Sequence, residues 1–113
     1  MNFLLKNFLV FLLVIFVFVA LGQWNHPNYQ QKAYDQAKLL ISDDLAEKGV
    51  KADSFVEPPD FSADFIKAQV VTEDGTTYLY DIGIANPTWI QLSALNLMVP
   101  PKVEIAGFIK SRP

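Results

Sequence analysis

The hydrophobic pattern changes its period three times along the chain, and each change predicts a different element. It opens with fourteen unbroken apolar residues, Phe8 to Leu21 (FLVFLLVIFVFVAL). As a helix this run is about 21 Å long at 1.5 Å per residue, short of the roughly 30 Å of bilayer hydrocarbon. Counted from Phe3 to Gly22 the stretch is twenty residues and about 30 Å long. That count requires Asn7 to be tolerated and Lys6 to extend its stem toward the headgroups. Trp24 follows at once, the residue type expected where a spanning helix meets water. Residues 1–22 are therefore predicted to form a membrane anchor, with Lys6 and Trp24 at its two interfaces.

Past a short linker (residues 23–28) in which Asn25-His26-Pro27-Asn28 predicts a break and Asn28 an N-cap, the period becomes helical. Tyr29, Ala33, Ala37, Leu40, Ile41 and Leu45 fall on one face, as an amphipathic helix requires. Gly49 and Val50 then match a glycine stop with its hydrophobic contact. Lys51 to Ala63 predicts a loop or short extended piece, because Pro58-Pro59 excludes a helix and a central strand.

From Phe65 the period is two. Ile66, Ala68 and Val70 alternate with Lys67 and Gln69, and Tyr78, Tyr80, Ile82 and Ile84 alternate with Thr77, Leu79, Asp81 and Gly83. Asp74-Gly75 between them is a strong hairpin signal. Trp89 to Val99 is apolar on both faces, which predicts a doubly covered strand, or a short helix as second choice. After Pro100-Pro101, Val103, Ile105 and Ile109 alternate with Lys102, Glu104 and Lys110, a last strand. The expected fold is α+β: an N-terminal transmembrane helix, then one amphipathic helix packed on a roughly four-stranded antiparallel sheet in a small domain of residues 29–113.

Composition sharpens the division. Eighteen of the first 22 residues are apolar, and after Gly22 the chain carries eight basic and twelve acidic side chains. The basic residues are scattered singly, so the electropositive footprint that nucleic acid demands is missing, as is a polybasic lipid-binding cluster. The chain has no cysteine, which removes thiolate chemistry, Cys-based zinc sites and disulfide staples. The soluble part is large enough for one small core.

Catalytic constellations are not visible. His26 is the one histidine and sits in the linker without a ligand set around it. No nucleophile elbow accompanies the serines, and the five glycines are isolated. Asp43 and Asp44 lie late in the helix, where the macrodipole disfavours them. Glu57, Asp60 and Asp64 surround the two prolines without the spacing of a calcium loop. No catalytic residue, metal ligand, cofactor or small-molecule substrate is assigned.

Large apolar residues are the remaining candidates. Tyr78, Tyr80, Trp89, Leu95, Leu97 and Phe108 cluster on the predicted sheet, either as core or as a protein-contact surface. The Trp89–Val99 run needs cover on both faces while one helix supplies a single layer, so a partner protein, a second copy or the membrane is expected there.

Two functions follow. The first is a non-catalytic, single-pass envelope protein, N-terminus inside, whose domain docks on a larger membrane or filament assembly. The second is a secreted or periplasmic binder, inhibitor or immunity-type protein. For this, MNFLLKN and the apolar run serve as a signal peptide, cut after Gly22 with Ala20 and Gly22 at the −3 and −1 positions. The order of membrane segment, helix and antiparallel sheet resembles the layout of type IV pilins and pseudopilins. Their basic leader and the glutamate five residues into the mature helix have no counterpart, since no acidic residue precedes Asp35. The likeness is of layout only and carries no function.

Overall fold

The computed structural model describes residues 2–62 and 64–111. Met1, Ala63, Arg112 and Pro113, which the sequence assigns to the anchor, the proline loop and the end of the domain, lie outside the described residues. The fold is α+β, as expected: a long N-terminal helix, a four-stranded antiparallel sheet and one short helix.

The first helix, α1, runs without interruption from Asn2 to Glu47. The break predicted at residues 25–28 is absent, and Asn28 caps nothing. Proline costs a helix one hydrogen bond, here the one Gln23 would accept, and a steric push on the preceding turn. Pro27 and Gln23 both face outward, so that carbonyl is left on an open surface. Asn25 faces inward and is held by side-chain bonds described below. Anchor and amphipathic helix are thus one rod, and the stripe of buried residues begins earlier than the apolar pattern shows: Gly22, Asn25, Tyr29, Ala33, Tyr34, Ala37, Ile41 and Leu45. The predicted stop is present. Gly49 takes φ 75°, its N–H donates to the Ala46 carbonyl at 3.0 Å, and the Val50 N–H donates to Leu45 at 2.9 Å, the paired bonds of a Schellman ending.

Four strands follow, in spatial order β1 (Ala52–Phe61), β2 (Phe65–Thr72), β3 (Thr77–Ile84) and β4 (Val103–Ser111). The segment expected to be a loop or short extended piece is the strand β1. It lies at the edge of the sheet, where a proline pair is tolerated, and its register on β2 is interrupted between Val56 and Asp60, across those prolines. The β2–β3 hairpin closes as predicted. Gly75 adopts φ 84°, and Asp74 accepts hydrogen bonds from the Thr72 hydroxyl and from the Thr76 N–H at 3.0 Å.

Trp89 to Val99 is not a strand. It forms a short helix, α2 (Thr88–Gln91), and a 3-10 turn (Ala94–Leu97). Pro87 precedes α2, and the Ser93 side chain accepts from the Leu95 N–H at 3.4 Å, local bonds that compete with extended pairing. Its place in the sheet is taken by β1, which keeps the strand count.

The inner sheet face lies under the second half of α1. Ile66, Ala68 and Val70 from β2 and Tyr78, Tyr80, Ile82 and Ile84 from β3 meet Tyr29, Ala33, Tyr34, Ala37, Ile41 and Leu45 in one core. A bulge shifts the β3–β4 register between Asp81 and Ile82: Ile82 pairs with Ile105, Asp81 with Gly107. Ala106 is the extra residue. The predicted alternation of β4 is therefore broken. Val103 and Ile105 pack against the core, Phe108 comes opposite Tyr80, and Ile109 is turned to the outer face opposite Leu79.

Candidate docking surfaces

Burial separates the six candidate contact residues into three groups. Tyr78 and Tyr80 are core residues, Tyr80 with only 1% of its surface exposed. Their place in the alternation explains it: they share the face of Ile82 and Ile84, and that face is spent on α1. The Tyr80 hydroxyl donates to Asp44 at 2.7 Å, and Asp44 also pairs with Lys48 at 2.5 Å. The late-helix Asp44 thereby finds its purpose as the polar terminus of a buried ring. The Lys48 bond and then the Tyr80 bond hold its carboxyl below the usual range, while burial first and the Asp44 bond second raise the Tyr80 phenol. Tyr34 is treated alike, donating to Glu57 at 3.2 Å, and burial together with that carboxylate pushes it up to about 12.

Phe108 is partly exposed. It stacks on Tyr80 at 5.6 Å, with the Lys48 ammonium 4.5 Å above its ring. It closes the rim of the core.

Trp89, Leu95 and Leu97 belong to the α2–turn segment, residues 88–98, which wraps the point where α1 leaves its apolar half. The lock is polar. The Asn96 amide donates to the Gly22 carbonyl at 2.8 Å and to the Gln91 carbonyl at 2.7 Å, and the Asn25 amide donates to the Asn96 side-chain oxygen at 2.9 Å. Gly22 is required by contact: a Cβ there would lie 2.2 Å from the Ser93 carbonyl carbon. Asn25, Gln91 and Asn96 were not candidates from the sequence. A lone Asn beside an apolar run is the only signal, and it does not say which other Asn it meets. We call residues 88–98 the collar.

The collar is inside out. Its buried members are Gln91, Ser93 and Asn96, whereas Trp89 (64%), Leu92, Leu97 and Met98 (78%) are exposed and Leu95 is half-buried. Trp24, on the adjacent turn of α1, is also exposed. Lys6 lies on the open surface of the apolar half, eighteen residues or about 27 Å along the helix from Trp24.

The contact surface expected on the sheet from the sequence is mainly aromatic; the outer face of the sheet carries a different set of residues. The register aligns Val56, Gln69, Leu79 and Ile109 in one row across all four strands, beside a row of Asp60, Lys67 and Asp81. Val56, Leu79 and Ile109 are exposed. The proline pair of β1 raises one wall, making a shallow groove of about 370 Å³. Leu79 stands in the polar phase of β3, which is why the alternation alone did not single it out.

The acidic residues do not converge. Glu57 is engaged by Tyr34 and Lys38, Asp64 lies 3.5 Å from the Thr88 hydroxyl, and Asp60 faces the outer groove. Among the described residues no group of three or more His, Cys, Asp or Glu comes together to hold a metal. His26 stacks on Tyr29 at 6.3 Å. No family model, no curated protein and no solved structure matches the chain.

Proposed function

We propose that this chain is a non-catalytic, single-pass envelope protein, N-terminus cytoplasmic, whose α+β head docks on a larger membrane or filament assembly as an accessory subunit. The observation that carries the reading is the uncovered outer sheet face. One helix covers one face, and the other presents an apolar row, Val56, Leu79 and Ile109, flanked by charges that give a partner register. The two sheet edges add to it. The β1 edge is blunted by prolines and irregular pairing, while β4 is a nine-residue edge strand without proline, open to a neighbouring strand.

Retention of the anchor is supported at Gly22. Gly22 packs against Ser93 and its carbonyl accepts from the Asn96 amide, so a cut after it would take away a residue around which the head is built. The test has two parts. Intact mass with membrane fractionation is expected to find residues 1–22 retained and the protein in the membrane; a soluble chain starting at Gln23 favours the secreted binder instead. Leu79→Lys with Ile109→Lys is then expected to abolish co-purification of the partner without lowering the melting temperature. Undiminished co-purification excludes the outer face as the docking site.

A further inference from the structure

We propose that the collar is a second membrane-contact element, seated in the outer interfacial layer of the bilayer beside α1. The proposal rests on the anchored reading above and adds to it where the head sits.

Four observations place lipid, rather than water or protein, against Trp89, Leu92, Leu97 and Met98. The first is depth. The collar is locked to α1 at Gly22, the last residue of the twenty-residue apolar stretch, and Ala94 shares an apolar cleft of about 340 Å³ with Leu13, Val14, Val17, Phe18 and Leu21. Any bilayer that covers that stretch reaches the 3-10 turn. The second is polarity. A segment that buries Gln91, Ser93 and Asn96 while exposing its tryptophan, leucines and methionine is sorted for an apolar surrounding. The third is charge. No ionisable side chain occurs from Ile82 to Pro101, the longest such stretch outside the anchor, although the rest of the head is studded with acids and lysines. A segment without charges meets none of the penalty that ionisable side chains carry in lipid. The fourth is the backbone. Lipid penalises main-chain donors left without a partner, and the collar amides of Ile90, Gln91, Leu92, Asn96 and Met98 donate to carbonyls of Pro87, Thr88, Ser93 and Leu95. Two tryptophans, Trp24 on the helix and Trp89 on the collar, then lie at headgroup level, where that side chain is favoured.

The two tryptophans make the test. The full chain is reconstituted in phosphatidylcholine vesicles as Trp24→Phe, which leaves Trp89, and as Trp89→Phe, which leaves Trp24. Asp43→Trp in the doubly substituted background supplies a reference near the far end of α1. Lipid brominated near the headgroup end of its acyl chains is expected to quench Trp89 and Trp24 but not the Asp43→Trp reporter. Aqueous iodide is expected to quench Trp89 about threefold less than that reporter, as for a side chain at the interface. Leu97→Glu with Met98→Glu should return Trp89 to the iodide-accessible state while Trp24 stays shielded. If Trp89 is as open to iodide as the reporter and untouched by bromolipid while Trp24 is quenched, the collar stands in water and the inference fails with the anchor intact. If neither tryptophan meets bromolipid, the anchored reading fails with it.

Discussion

The inner face of the sheet and the collar both concentrate large apolar side chains, and they dispose of them in opposite ways. On the inner face the apolar residues recur every second position with Lys67, Gln69 and Asp81 between them, so one side of each strand meets α1 and the other meets solvent. In the collar no such interleaving exists; the polar residues are the ones turned inward, and Trp89 is left out. Tyr80 and Trp89 are nine residues apart, yet one is a core residue and the other an outer one. Large apolar side chains are shared by both regions, and the phase of the polar residues is what separates them.

The comparison breaks most readily at Tyr80. Tyr80→Ala removes a buried ring and leaves Asp44 with one partner fewer, and is expected to cost about 3–5 kcal/mol in unfolding of the detergent-solubilised chain. A cost within about 0.5 kcal/mol would return Tyr80 to the surface. Next is Gly22→Ala. Helix propensity alone predicts a gain of up to about 1 kcal/mol, but the clash with the Ser93 backbone should reverse the sign to a loss of about 1–3 kcal/mol, readable in the same unfolding curves. Asn96→Ala removes the side-chain acceptor of the buried Asn25 amide and the donor to the Gly22 and Gln91 carbonyls, for about 1–2 kcal/mol, and should raise hydrogen exchange at residues 88–98 while sparing the core strands.

A smaller effect is confined to alkaline pH. Tyr34 and Tyr80 are raised above their ordinary value of 10.0, Tyr34 to about 12. Groups raised in the folded state stabilise it below the unfolded pKa and lose that contribution as pH climbs through the folded one. Stability should thus fall from about pH 10 to beyond pH 12, and Tyr34→Phe with Tyr80→Phe should move the decline upward in a pH-dependent melt. The smallest change is expected from Trp89→Ala, within about 0.5 kcal/mol in detergent; a loss comparable to that of Tyr80→Ala would make the collar part of the core.

Much of the head was legible in the sequence, for reasons that differ between elements. The buried stripe from Tyr29 to Leu45, the glycine stop, the Asp-Gly hairpin and the alternation of β2 and β3 are local signals, and local signals survive folding. Three features were not legible. Pro27 breaks a helix when nothing else holds it, and what holds it here is a bond between Asn25 and Asn96, 71 residues apart. The Trp89–Val99 run satisfied the hydropathy of a strand, but Ser93 and Asn96 bond within the segment and to α1 instead of to a neighbouring strand. The bulge at Ala106 is invisible until β4 is laid on β3, and it decides that Phe108 caps the core while Ile109 joins the outer row. Of the contact candidates, then, burial was predictable only where the period was clear.

The unbroken run of α1 from its apolar half into the core has a mechanical consequence. A head on a flexible tether searches a sphere and tolerates partners at many heights. This one has no tether: the apolar half of α1 and the half that forms the core are one helix, about 69 Å from end to end, and a tilt of one half is a tilt of the other. On the anchored reading proposed above, the head would be confined to a thin shell of fixed elevation, with its groove held at one bearing relative to the anchor. A partner of such a head would be selected by where it carries its binding site as much as by what the site is made of. A load applied to the head would then be passed to the bilayer as leverage instead of being absorbed by slack.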